Sequence, residues 1–179
     1  MVYIAVAAIL VAVLLVAGLT LLLTRNARST AVTASNTITL SGAVAMSAKI
    51  TPSCKLGSKQ TTYAVSATFA SREQVDGSRD HFQLTFSIEA YKGPGTYLAR
   101  DHVLDKVVLN HIGIDPSGHA AADATYVMAD MAGSATVNDG GLSGSINQDV
   151  AAVWSSGERI HVSATWQCGH LEQLPQTSS

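Results

Sequence analysis

The amino-acid sequence predicts an all-β protein: an antiparallel β-sandwich of about eight strands, preceded by one N-terminal transmembrane helix. Three observations predict it. Apolar side chains recur at every second position in successive runs between residues 37 and 168. Gly, Pro, Asn and Asp cluster between those runs, and no stretch outside the first 24 residues has the 3.6-residue period of an amphipathic helix. The expected organisation is an anchor at 1–24, a linker at 25–36, a β-sandwich domain at 37–168 and a polar tail at 169–179.

The opening run, MVYIAVAAILVAVLLVAGLTLLLT, contains no charged side chain. As a helix it would reach roughly 36 Å, enough to cross a hydrocarbon core of about 30 Å. A cleaved secretory signal has a shorter apolar region behind a basic start, whereas here no Lys or Arg precedes the run, so the expectation is an uncleaved anchor. Arg25 and Arg28 follow the run and by the positive-inside rule would hold the domain in the cytoplasm. The cysteine pair and the strand-rich domain argue for the extracytoplasmic side, which is the orientation expected.

Removing Arg25 and Arg28 from the 11 Lys and Arg leaves nine basic residues against 13 acidic ones, a formal charge of −4 beyond residue 30. No basic run or aromatic platform exists, so nucleic acid is excluded as a partner. The two cysteines, Cys54 and Cys168, have neither metal-finger nor CxxC spacing and are expected to form a disulfide.

Residues 25–36, RNARSTAVTASN, are small and polar with no apolar period, and read as the linker. In TITLSGAVAMSAKI, from residue 37, the even positions Ile38, Leu40, Val44, Met46 and Ile50 form an apolar face, as in one half-buried strand. The alternation returns at Tyr63, Val65, Ala67 and Phe69, and again at Phe82, Leu84, Phe86 and Ile88. The charged stretch SREQVDGSRD between those runs reads as an exposed loop with an Asp-Gly turn. Tyr91-Lys92-Gly93-Pro94-Gly95-Thr96-Tyr97 predicts a tight turn with the tyrosines packed over it.

Further strands are expected over 103–109 and 123–131, separated by a loop through Asp115-Pro116-Ser117-Gly118. A hairpin joins 134–137 to 142–150 through Asn138-Asp139-Gly140-Gly141, because Asp-Gly supplies the positive φ angles such turns need. The last strand, 159–168, points Ile160, Val162, Ala164, Trp166 and Cys168 inward.

The Gly-Pro-Gly-Thr-Tyr turn ending at Tyr97, the segment Ala135-Thr136-Val137-Asn138 with its Asp139-Gly140 turn, and the closing His161-Val162-Ser163-Ala164-Thr165-Trp166-Gln167-Cys168 together resemble a group of uncharacterised bacterial exported proteins and lipoproteins. The likeness covers roughly 37–168, and its motifs are structural. It implies a location in the cell envelope and carries no catalytic residue with it. This chain has no lipid-attachment cysteine near the apolar run, so the helix would serve as its anchor.

The sequence gives little support for catalysis. Gly141-Leu142-Ser143-Gly144 misses the spacing of a nucleophile elbow, and Gly93-Pro94-Gly95 lacks the donors of a phosphate loop. The one constellation with metal-binding chemistry is the region Asp101 to Asp123, where His102, His111 and His119 lie among Asp101, Asp105 and Asp115. Its spacing matches no motif, so solvated loop and strand histidines are the first reading and a metal carrier or enzyme the alternative. The expectation is therefore a non-enzymatic envelope module without cofactor, binding an envelope ligand or protein or serving a structural role, held to the membrane by its first helix.

Overall fold

The computed structural model describes residues 35–57, 60–71, 77–154 and 157–173, the side chains of 121–123 excepted. The apolar run at 1–24 and most of the linker lie outside the described residues. Among the described residues no helix is long and apolar enough to cross a membrane.

The described part is all-β. Its strands are β1 (Thr37–Gly42), β2 (Met46–Lys49), β3 (Thr51–Leu56), β4 (Thr62–Ala70), β5 (Arg79–Glu89), β6 (Gly95–Leu98), β7 (Leu104–Ile114), β8 (Ala120–Met128), β9 (Ser134–Val137), β10 (Ser143–Ala152), β11 (Arg159–Gln167) and β12 (Leu171–Gln173). Short 3₁₀ turns occupy Ala99–Asp101 and Asp139–Gly141. All twelve strands belong to one sheet, whose main path runs β12-β3-β4-β5-β7-β8-β10-β11-β1-β2, with β9 on β10 and β6 on β9. Each pairing is antiparallel except β12 with β3.

The sheet must curl. β2 and β3 stand near opposite ends of the path, yet Ile50 alone separates them in the chain. Curling brings the inward faces together: Trp166 of β11 meets Phe86 of β5 edge-on at 5.2 Å between ring centroids, and both are buried. The core contains the predicted alternating positions, including Ile38, Leu40, Val65, Phe82, Leu84, Ile160 and Val162. Burying such side chains yields about 1.5 to 3 kcal/mol each relative to exposure, which makes this contiguous cluster the main source of cohesion.

The strands differ from the sequence expectation in several places. Residues 37–50 form a hairpin, because Gly42 turns the chain at φ 105° and β1 pairs with β2 through Leu40 opposite Met46. That register pairs even positions with even, so the alternation passes through the turn unbroken. β3 lies in the stretch between two expected strands, β6 falls within the expected Gly-Pro-Gly turn, and β7 continues to Ile114. Leu171–Gln173, within the expected polar tail, forms β12 beside Cys54, Lys55 and Leu56.

Candidate functional site

The histidines and aspartates of the 101–123 region are directed to separate tasks. His102 is exposed and adopts a left-handed conformation at φ 56°, closing the 3₁₀ turn with its N–H donating to Ala99 O at 3.0 Å. Asp101 is exposed beside it, and Asp105 lies 3.8 Å from the Lys106 ammonium. His111, on β7, places Nε2 2.9 Å from Asp80 Oδ1 and stacks its ring on Phe82 at 4.6 Å.

Asp115 instead organises its own loop: Oδ1 accepts from the Ser117 hydroxyl at 2.7 Å and from the N–H groups of Ser117 and His119 at 2.9 Å each. Those bonds, the Ser117 hydroxyl first, hold its carboxyl below the usual range. His119 Nδ1 lies 3.0 Å from the same hydroxyl. Among the described residues, no group of three or more His, Cys, Asp or Glu is placed to hold a metal ion. The Asp123 side chain lies outside the described set.

The cysteines do meet. Cys54 on β3 and Cys168 just past β11 form a disulfide, with Cα atoms 5.9 Å apart. Around it the sequence builds an aromatic clasp. Tyr63, fully buried on β4, donates its hydroxyl to Gly141 O at 2.9 Å, accepts from Trp166 Nε1 at 3.2 Å and lies 3.3 Å from Cys54 Sγ. Burial pushes the Tyr63 phenol up to about 12, although the Trp166 donor pulls the other way.

Tyr91 stacks on Tyr63 at 5.1 Å, and Tyr97 follows at 5.7 Å. The Tyr97 hydroxyl donates to Gly93 O at 2.5 Å and accepts the Lys92 N–H at 3.1 Å, which fastens the Gly-Pro-Gly turn as the flanking tyrosines predicted. This cluster holds no nucleophile or free acid. Its chemistry is structural.

A different arrangement arises where β10 changes partner. Gly144 to Asn147 pair with β9 and Val150 to Ala152 with β8, so Gln148 and Asp149 lie opposite the connection between those strands. Gln148 occupies an inward position between Ile146 and Val150 and is 1% exposed. Its Nε2 donates to Asp130 O and Asp149 O, both at 3.0 Å, standing in for the interrupted ladder. Its Oε1 meets no donor among the described residues. Gly133 lies so close that a Cβ there would overlap this oxygen.

Outside Gln148 is a recess of about 160 Å³ whose lining includes Asp130, Gly133, Ser134, Asn147, Asp149 and His161. Asp149 Oδ1 meets His161 Nδ1 at 2.5 Å across the β10–β11 pair. Asp130 accepts the Ala132 N–H at 3.0 Å and lies 3.6 Å from Arg159. Sequence reasoning missed this site, although it contained one signal: Gln148 interrupts the apolar phase set by Ile146 and Val150.

Farther along the same strand pair, the connection from β10 to β11 exposes Val153 and leaves Trp154 91% exposed. The chain enters at the other end of β11, where Thr37 pairs with Thr165.

The disulfide, the all-β sheet and this polar recess define the protein as a disulfide-linked β-domain. The chain matches no family model, no curated protein and no solved structure in the comparisons made.

Proposed function

We propose that this chain is a single-pass membrane protein displaying a disulfide-linked β-sandwich on the extracytoplasmic side of the cytoplasmic membrane, as a non-catalytic binding module of the bacterial cell envelope. The Cys54–Cys168 disulfide carries the reading, because such bonds persist in oxidising compartments and are rare in the cytosol. The apolar run at 1–24 supports membrane attachment, and the resemblance to exported envelope proteins supports the same location. The sandwich is supported by β11 facing β4 and β5 through Trp166, Tyr63 and Phe86. A binding role is supported by Trp154, a side chain with a large apolar surface that folding leaves uncovered and a residue type enriched at interaction hot spots.

Protease accessibility and thiol labelling together test this. In intact cells whose outer layers admit a membrane-impermeant protease, the domain should be clipped, and its two thiols should label only after reduction. A domain that is cut only after membrane lysis, with both thiols labelling without reductant, would place it in the cytoplasm and sink the proposal.

A further inference from the structure

We propose that the free edge of β2 is a strand-addition site for an extended segment of a partner polypeptide that carries an acidic side chain. The inference rests on the binding-module reading and names its partner chemistry. Ladder parity supplies the first argument. The Ile50 N–H donates to Asn36 O at 3.0 Å, in step with the β1–β2 register. Hydrogen-bonded pairs alternate in an antiparallel ladder, so Met46 and Ala48 turn their backbone groups toward β1, and Ser47 and Lys49 turn theirs away from it. β2 pairs with β1 alone among the described strands, so those outward N–H and C=O groups meet no ladder.

The end of β4 borders the same opening. Its ladder with β3 stops where Thr68 meets Thr51, and the Ser71 N–H donates to Asp80 O at 2.8 Å on the β5 side. By the same alternation Ala70 directs its backbone groups toward the β2 side. Between them lies a groove of about 510 Å³ whose lining includes all four residues of β2 with Ala70 and Ser71.

This groove selects its occupant. Four residues of strand extend about 13 Å, and main-chain bonds to Ser47 and Lys49 suit a segment that lies extended. Side chains then discriminate: Met46 and Ala48 are half-buried against the core, while Ser47 and Lys49 are exposed. A strand added here sets alternate residues beside each face, so the fitting segment alternates apolar with polar residues. A carboxylate opposite Lys49 completes it, because Lys49 has no ion pair among the described residues. A second copy fits less well. Symmetric pairing of two β2 edges would bring both Lys49 ammonium groups onto one face of a short ladder, and lysines so placed discourage edge-to-edge association.

The test uses the full-length protein in detergent and follows amide hydrogen exchange at Ser47, Ala48 and Lys49 by NMR. The probe is the acetylated, amidated peptide Thr-Val-Glu-Val-Thr. At saturation, exchange at Ser47 and Lys49 should slow at least tenfold, while Ala48, already bonded to β1, changes less than twofold. N-methylation at Glu and the Thr that ends the peptide should abolish the effect, and N-methylation at both Val should preserve it. Replacing Glu by Lys in the peptide should weaken binding at least fivefold, and Lys49→Glu should reverse that preference.

No saturable protection, equal responses to both methylated peptides, or equal affinity for the Glu and Lys peptides would overturn the assignment. Protection of Ser47 and Lys49 without peptide would overturn it as well: protection that grows with protein concentration gives the edge to a second copy, and constant protection gives it to this chain itself. Protease and thiol readouts are independent of this titration. An external domain with unresponsive Ser47 and Lys49 amides removes only the peptide, and responsive amides in a cytoplasmic domain remove only the location.

Discussion

Tyr63 shows how much one hydroxyl can organise. Its position on an apolar face follows from the alternation with Val65 and Ala67, and the inward direction of Trp166 and Cys168 follows from the last strand's period. Their meeting is not legible, because Gly141, Trp166 and Tyr63 are distant in sequence and joined only by the curl of the sheet. Tyr63→Phe removes the hydroxyl and leaves Trp166 Nε1 and Gly141 O without this partner. Stability should fall by about 1 to 3 kcal/mol in chemical denaturation.

The same phenol predicts a pH effect. Its folded value, about 12, lies above the ordinary 10, so the neutral form is favoured by folding. The stability it contributes is fully present below pH 10 and is lost as pH rises from there through 12. Denaturation midpoints of the wild type should therefore fall more steeply than those of Tyr63→Phe over that window. Parallel curves would mean that Tyr63 ionises as freely in the folded protein as in the unfolded chain.

At the scale of elements, periodicity located faces better than boundaries. The run from residue 37 gave the correct inward set at Ile38, Leu40 and Ile50 but hid a hairpin, since the β1–β2 register preserves parity. β3 was obscured by Pro52, which argues against a central strand. The structure accommodates it because β12 reaches only Cys54, Lys55 and Leu56, leaving Thr51 to Ser53 at an edge where proline is tolerated. The recess escaped notice because it depends on β10 exchanging β9 for β8, a change of partner that local sequence does not encode.

Two glycines with similar backbone angles test which turn is more constrained. Gly42 has φ 105° and its missing Cβ would overlap Arg159 O, whereas Gly93 has φ 102° and open space around it. An alanine at either site incurs backbone strain of ~1 to 3 kcal/mol, and only at Gly42 does it also displace a neighbouring strand. Gly42→Ala should therefore lower the thermal midpoint clearly more than Gly93→Ala. Equal losses would show that the β1–β2 turn moves away from β11 freely.

For the whole molecule, the decisive relation is between sheet order and chain order. Ile50 forces the two ends of the path together, and the disulfide then ties β3 to the residue that follows β11, 114 positions later. Closing so long a loop restricts the unfolded chain far more than the folded one, a stabilisation of about 4 to 5 kcal/mol on the chain-entropy view. Cys54→Ala/Cys168→Ala should lower the urea midpoint and also raise the slope of stability against urea, because an unlinked unfolded chain exposes more surface. A lower midpoint with an unchanged slope would assign the loss to packing around Tyr63 and Trp166. Both changes together would show that the disulfide acts through the unfolded chain, while hydrophobic contact across the curled sheet maintains the fold.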